Sequence, residues 1–437
     1  MSSNTNQIAG LPAAASAAGV PEHVKGWSKA SALVLAALTV ISFFNYTDRV
    51  AVAVLIEPIK RTLQFSDMQA GLITGLAFAL FYAVLGVPLG RLADSRNKVS
   101  LLVVCFLLWS GATALSGAVT SFTGLFLARL LVGVGEAGCL PASFAIISER
   151  FTARQRPLVI SIFHAGGRLG TALGMAGAGI AGEMLGWRTT LMALGAVGVP
   201  VALLVGLALR GESARQPVRT AKVKGPDLAT ILKVPGLVPM IAAISLSSFA
   251  TYGITQWLPA FLVRTYGASL ASAGMWSGAT TGIGGIGGTL AGGFAAAYLI
   301  RRNPNWDLWL PAIVYTTAAP LFLLSLFSPT LMMASVFYLA ATLVATSGGG
   351  VVLAAFQRFT EPAHRATANG LMLMISAVAG VGLGPLAVGV ISDLLKPQLG
   401  AQSLRWALAA CALAFFAASY FYLMAARSAR VEAVTAQ

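Results

Sequence analysis

The chain predicts an all-α membrane protein of twelve spanning helices, arranged as two pseudo-symmetric six-helix bundles. Three observations carry this fold class. First, 57% of the 437 residues are hydrophobic and 10% are charged, with a mean hydropathy of +0.80; a water-facing domain carries about 25% charged residues. Second, apolar stretches near the ~20 residues needed to cross hydrocarbon recur along the whole chain. Third, the basic residues segregate by loop. With both termini cytoplasmic, 20 of the 29 Lys and Arg fall on that side. Six (Lys60, Arg61, Arg188, Arg264, Lys396 and Arg405) fall on the other, and Arg49, Arg129 and Arg168 lie inside helices. This asymmetry orients a multi-pass chain in the inner membrane and accounts for the net charge of +15 without a nucleic-acid partner. Backbone groups in lipid must bond within their own segment, which selects helices over open sheets.

The elements follow in order. Residues 1–28 lack a basic stretch leading into an apolar core, so they read as a disordered Ala/Ser-rich cytoplasmic tail rather than a signal peptide. An N-terminal bundle over 29–209 holds spans near 29–56, 68–92, 99–119, 122–147, 157–182 and 189–209. Residues 210–235, rich in basic residues and containing prolines, form the longest polar interruption and read as a cytoplasmic linker. A C-terminal bundle over 236–425 follows, with spans near 236–263, 271–299, 308–327, 330–352, 365–391 and 404–425, before a short cytoplasmic tail over 426–437. The halves echo each other. "ERFTARQR" (149–156) after the fourth span has a counterpart in "QRFTEPAHR" (357–365) after the tenth, and each precedes a Gly-rich helix. Duplicated halves are common in transporters, and small residues at this spacing let helices pack closely.

Several chemistries find no support. Cys105, Cys139 and Cys411 stand singly within predicted helices, without ligand or redox spacing, so neither a metal site nor a disulfide is expected. The three histidines are His23, His164 and His364, and two of them lie outside the spans, too few for a membrane-embedded catalytic site. No Gly-Lys-Ser/Thr phosphate loop occurs. The expectation is a protein that is not an enzyme, has no catalytic residues and needs no cofactor.

At "GRLADSRNK" (90–98), after the second span, the chain resembles the major facilitator superfamily, whose loop motif is roughly G-x-x-x-D-R-x-x-R-K. Gly90 and Asp94 match, Ser95 replaces the usual Arg, and Arg96 and Lys98 keep basic charge nearby. In the second half, "GGFAAAYLIRR" (292–302) has Ala297 where an Asp would stand. "NYTDR" in the first span, "RLLVGVGEAGCLPASFAIISERF" in the fourth, "ISIF" in the fifth and "QWLPAFLVRTYG" in the seventh are similar to the spinster-like branch. That resemblance, over about residues 40 to 410, implies a monomeric carrier of lysolipids or sphingoid lipids, driven by a proton gradient through alternating access. A proton-coupled symporter of organic anions, such as a sugar acid, is the alternative within the same superfamily, because Asp-Arg in the first span is shared with that group. The fifth span departs from the branch: His164 and Arg168 stand where an aromatic residue and then a proline are usual.

Charges inside the spans mark the candidate site, because ionisable residues in membrane helices usually lie on an ion or substrate path. Arg129 and Glu136 are seven apart and share one face of the fourth helix. Asp48 and Arg49 diverge by about 100° on the first. The resemblance places these helices side by side, so the four form a balanced set of acids and bases. Asp48 or Glu136 is expected to carry the proton, with Arg49 and Arg129 pairing alternately with carboxylate or substrate anion. His164 and Arg168, four apart, share a face of the fifth helix and join the substrate network. Tyr46, Tyr252, Gln256 and Trp257 are expected on the cavity wall. The resemblance also implies a cytoplasmic gate of Gly90, Asp94, Arg150 and Arg154. Glu57 and Glu183, near helix ends, are read as charges without a role.

Overall fold

The computed structural model describes residues 27–95, 97–212, 234–303, 305–360 and 365–435. Among them ten continuous helical runs are long and apolar enough to cross a membrane. Two of these runs are too long to cross once. A straight 53-residue helix over Arg156–Ala208 would extend about 80 Å, against a hydrocarbon core of about 30 Å. It breaks at Gly186, whose φ of 78° and ψ of 159° are non-helical and unstrained only for glycine. The run Thr367–Ser428 breaks at Gly400, with φ 52°. Each holds two spans, so the described residues carry the twelve crossings the sequence predicts.

We number them α1 (Lys29–Leu63), α2 (Asp67–Gly71, continuing through Leu72–Leu76 and Ala77–Ser95), α3 (Lys98–Ala118) and α4 (Phe122–Ala137 with Cys139–Arg150). The two arms of Arg156–Ala208 around Gly186 are α5 and α6. Then come α7 (Leu237–Tyr266), α8 (Leu270–Arg302), α9 (Trp306–Leu326) and α10 (Leu331–Ser347 with Gly349–Arg358). Last are α11 (Arg365–Ala377, Val378–Leu383 and Gly384–Leu399) and α12 (Ser403–Thr435). The proposed linker lies largely outside the described residues, as do residues 1–26 of the N-terminal tail.

Polar caps set several starts. Ser28, Ser66, Asn97, Ser121, Ser269 and Thr330 each accept a hydrogen bond from a first-turn amide of the helix that follows, satisfying donors that would otherwise be orphaned in a poorly hydrated setting. Within the first half, a core of Leu38, Ile41, Phe106, Trp109 and Phe163 is buried, with Phe106 and Trp109 stacked at 4.4 Å. In the second half Tyr315, Phe322, Phe415 and Tyr422 form a stacked column. Exposed apolar side chains such as Leu127, Met184, Phe294 and Leu394 ring the outside, where lipid replaces water.

Small residues bring the helices together. A Cβ on Gly170 of α5 would lie 2.2 Å from the Phe43 carbonyl oxygen of α1, so only glycine permits this approach. The halves meet where α2 faces α11 and α5 faces α8. Two π-helical turns, Leu72–Leu76 in α2 and Val378–Leu383 in α11, lie against each other at the first of these seams. Such turns release backbone groups from the helical ladder and often mark functional sites. Here Gln256 Nε2 of α7 donates to the Thr74 carbonyl at 3.1 Å, a bond from one half to the other.

Candidate functional site

Four charges of α1 and α4 meet as two ion pairs. Arg49 Nη2 lies 2.8 Å from Glu136 Oε2, and Arg129 Nη1 lies 3.0 Å from Asp48 Oδ2. The ~100° between Asp48 and Arg49 separates the pairs: the first reaches toward the space between the halves, the second into the first half's interior. Asp48 also accepts from the Thr113 hydroxyl of α3. Arg49 donates to Asn45 Oδ1 at 3.2 Å, and its guanidinium lies over the Phe78 ring at 4.2 Å and the Tyr46 ring at 5.1 Å. Glu136 is 0% exposed, and its Oε1 has no hydrogen-bond partner among the described residues. Burying ions is costly unless they are paired and hydrogen-bonded; this arrangement pairs all four, but Arg129 Nε, like Glu136 Oε1, is left without a hydrogen-bond partner among the described residues.

A cavity of about 260 Å³ opens between the halves. The first half contributes Tyr46, Arg49, His164 and Arg168; the second faces them with Thr251, Tyr252, Thr255, Gln256, Thr281, Thr342 and Thr346. The structure therefore brings six of the expected residues to one cavity, four on the first half and two on the second. Asp48, Glu136 and Arg129 stand behind it, with Glu136 one ion pair from the cavity through Arg49. His164 packs edge-on to the rings of Phe144 and Phe163. Trp257 does not line the cavity. It is 1% exposed and donates from Nε1 to the Pro385 carbonyl of α11 at 2.9 Å, because the ~100° step from Gln256 turns it into the second half's core.

The expected gate is only partly within view. Gly90 packs 3.7 Å from Pro141 of α4, counted from the Cβ it lacks. The side chain of Asp94, and all of Arg96, lie outside the described residues. Arg150 pairs with Glu212 at 3.4 Å and donates to Ser28 Oγ at 3.3 Å, while Arg154 is exposed. Lys98 pairs with Glu149 on the same end.

The opposite end, carrying Lys60, Arg264 and Lys396, is sealed by a network that sequence reasoning missed. Arg264 of α7 bonds the Asp67 carboxylate through both terminal nitrogens at 2.7 Å, and Glu57 of α1 through Nε at 2.6 Å. Lys60 also bonds Asp67, as does Ser392 Oγ of α11 at 2.7 Å. Asp393 caps the start of α2, accepting from the Asp67 amide at 3.1 Å and the Met68 amide at 2.7 Å. Glu183 accepts from the Ala271 amide at 2.7 Å, at the start of α8. Glu57 and Glu183 thus both act across the halves. The available signal was an acid or base within a turn of a helix end, a pattern too common to stand out.

Known proteins supply the frame for this geometry. The family model of the Major Facilitator Superfamily matches residues 38–385. An MFS-type efflux pump of Mycolicibacterium smegmatis is 34% identical over 397 residues, covering 90% of this chain and 92% of that protein. Protein spinster homolog 1 of Xenopus laevis is 29% identical, covering 91% and 81%. Among solved structures, a bacterial homolog of the human lysosomal transporter spinster, crystallised in an inward-facing and unoccupied conformation, superimposes with a TM-score of 0.81 at 26% identity, covering 92% of this chain and 98% of that one. The chain belongs to the major facilitator superfamily and is a secondary transporter related to the spinster proteins.

Proposed function

We propose that this transporter is proton-coupled and moves an amphipathic or anionic small molecule across the inner membrane by alternating access, with both termini cytoplasmic. The observation that carries the reading is the Arg49–Glu136 pair, set where one member touches the cavity and the other is wholly buried. While Glu136 is ionised it holds Arg49. A proton on Glu136 weakens that hold and leaves the guanidinium for a substrate anion, to which its planar fork is suited. Linkage is reciprocal, so a bound anion raises the site's affinity for the proton. Proton and anion then travel together. Asp48 and Arg129, deeper in the half, keep the helices in register and offer a second carboxylate for the same proton.

In this orientation the Asp67–Arg264 seal stands at the extracytoplasmic end and closes that side of the cavity in this conformer. The spinster relatives favour a lysolipid or sphingoid lipid as substrate; the basic and hydroxyl-rich cavity favours a small organic anion. Glu136→Gln and Asp48→Asn in proteoliposomes test the coupling. At least one should lose accumulation driven by an imposed proton gradient while keeping counterflow of the same substrate. Gradient-driven accumulation in both variants would end the reading.

A further inference from the structure

We infer that the central cavity binds a compact, hydroxylated oxyanion, carboxylate or phosphate, with its acid group on Arg168 and its hydroxyls on the threonine wall of the second half, and that Gly285 leaves the space the Arg168 guanidinium occupies. The inference rests on the transporter reading above and names its substrate class. Arg49 and Arg129 each have a carboxylate partner. Arg168 has none, and makes no hydrogen bond or ion pair among the described residues. It is exposed to the cavity, and a cation facing a pocket inside a membrane protein calls for an anion.

Arg168 crosses from α5 to the backbone of α8, where a Cβ on Gly285 would come within 2.8 Å of its Nη1. The atom met is the far end of a flexible side chain, so Gly285 leaves room for the guanidinium there without fixing it. Opposite stand the hydroxyl-bearing side chains of Thr251, Thr255, Thr281, Thr342 and Thr346, with the Tyr338 hydroxyl beside those of Thr255, Thr281 and Thr342. A hydroxyl that donates to its own helix, as Thr251 does to the Ser247 carbonyl and Thr346 to the Thr342 carbonyl, can still accept from a ligand hydroxyl.

In this conformer the space suits a compact ligand. The cavity, about 260 Å³, falls just below the ~300–1,000 Å³ common for drug-sized ligands. An apolar crevice of about 320 Å³ lined by Phe43, Leu173, Leu185 and Val197 does exist, but it lies beyond the α1–α5 seam. That seam is shut: Cβ atoms on Gly167, Gly170 and Gly174 would all fall within 2.8 Å of α1 atoms, and Thr47 Oγ1 donates across it to the Gly170 carbonyl at 3.1 Å. At Gly167, Gly170 and Gly174 the seam gives an acyl chain no opening from one space to the other.

The test is binding to the purified full chain in detergent, without a gradient, using gluconate, glycerol 3-phosphate, glucose and a lysophosphatidylethanolamine as probes. One hydroxylated acid should bind and glucose should not; which acid binds separates carboxylate from phosphate. Arg168→Gln should weaken that acid roughly 10- to 100-fold, with Arg168→Lys recovering part. Gly285→Ala should weaken it less than Arg168→Gln does while the melting temperature holds or rises, since alanine favours a helix; a purely structural role for Gly285 would lower stability instead. Lysolipid binding that ignores Arg168→Gln, or silence from both acids, overturns the inference. Acid binding without proton-driven uptake would remove the coupling reading and leave this site standing.

Discussion

Arg264 and Asp67 meet across the sealed end through two hydrogen bonds of 2.7 Å, each terminal guanidinium nitrogen donating to one carboxylate oxygen. Such bidentate pairs are the strong, directional kind. Asp67 is 1% exposed and Arg264 17%, so the pair joins the two halves largely out of water. Breaking a buried pair by removing one partner costs about 3–5 kcal/mol, enough to move a two-state equilibrium from one side toward the other. Asp67→Asn should therefore open this end. The check is a Thr255→Cys reporter in the cavity, labelled by a membrane-impermeant maleimide from the extracytoplasmic side. Labelling should rise several-fold with Asp67→Asn. The native cysteines are buried, which keeps the background low.

The two inner ion pairs are not equivalent, and their variants should separate. Asp48→Asn takes from Arg129, 2% exposed, the carboxylate it bonds directly in the first half's interior, a loss of up to about 3–5 kcal/mol. Glu136→Gln leaves Arg49 beside the cavity, still bonded to Asn45 and lying over two rings. Melting in detergent should fall by several degrees for Asp48→Asn and by clearly less for Glu136→Gln. Equal losses would mean that Arg49 is as dry as Arg129.

Much of this site was legible in the sequence, for a physical reason. Asp48, Arg49, Arg129 and Glu136 interrupt apolar runs, and a charge in hydrocarbon is expensive enough to demand a partner. Helical rotation said that Arg129 and Glu136 share a face and that Asp48 and Arg49 diverge. It did not say which acid meets which base, because that depends on how α1 and α4 are rotated against each other. Arg264 and Glu57 are 207 residues apart, and no local pattern links them. Trp257 next to Gln256 shows the same limit: adjacent residues on one helix, one at the cavity and one in the core.

Glycines were the least legible feature, since the sequence shows many on α5 and gives all of them the same bland packing role. The structure tells them apart. A Cβ on Gly170 would meet the Phe43 carbonyl oxygen at 2.2 Å, whereas one on Gly177 meets nothing within 4 Å. Gly170→Ala should force α1 and α5 apart and cost about 1–3 kcal/mol, the usual toll of overpacking. Gly177→Ala, on the same helix, should leave the melting temperature unchanged or slightly raised through helix propensity. Parallel melts of the two variants read the difference directly.

Trp257→Phe provides the matching control for the cavity wall. The indole is buried and its only polar atom donates to the Pro385 carbonyl, which joins α7 to α11 within the second half. Phenylalanine keeps most of the apolar packing and gives up that bond, so the expected loss is about 1 kcal/mol, plus a small void. Substrate affinity should stay within a factor of two, because no atom of Trp257 reaches the cavity. Gln256→Leu should do the opposite. It removes the bond to the Thr74 carbonyl and changes the wall itself, so transport should drop while the fold within each half remains. Melting curves and initial uptake rates for the two neighbours would show whether one step around α7 separates packing from transport.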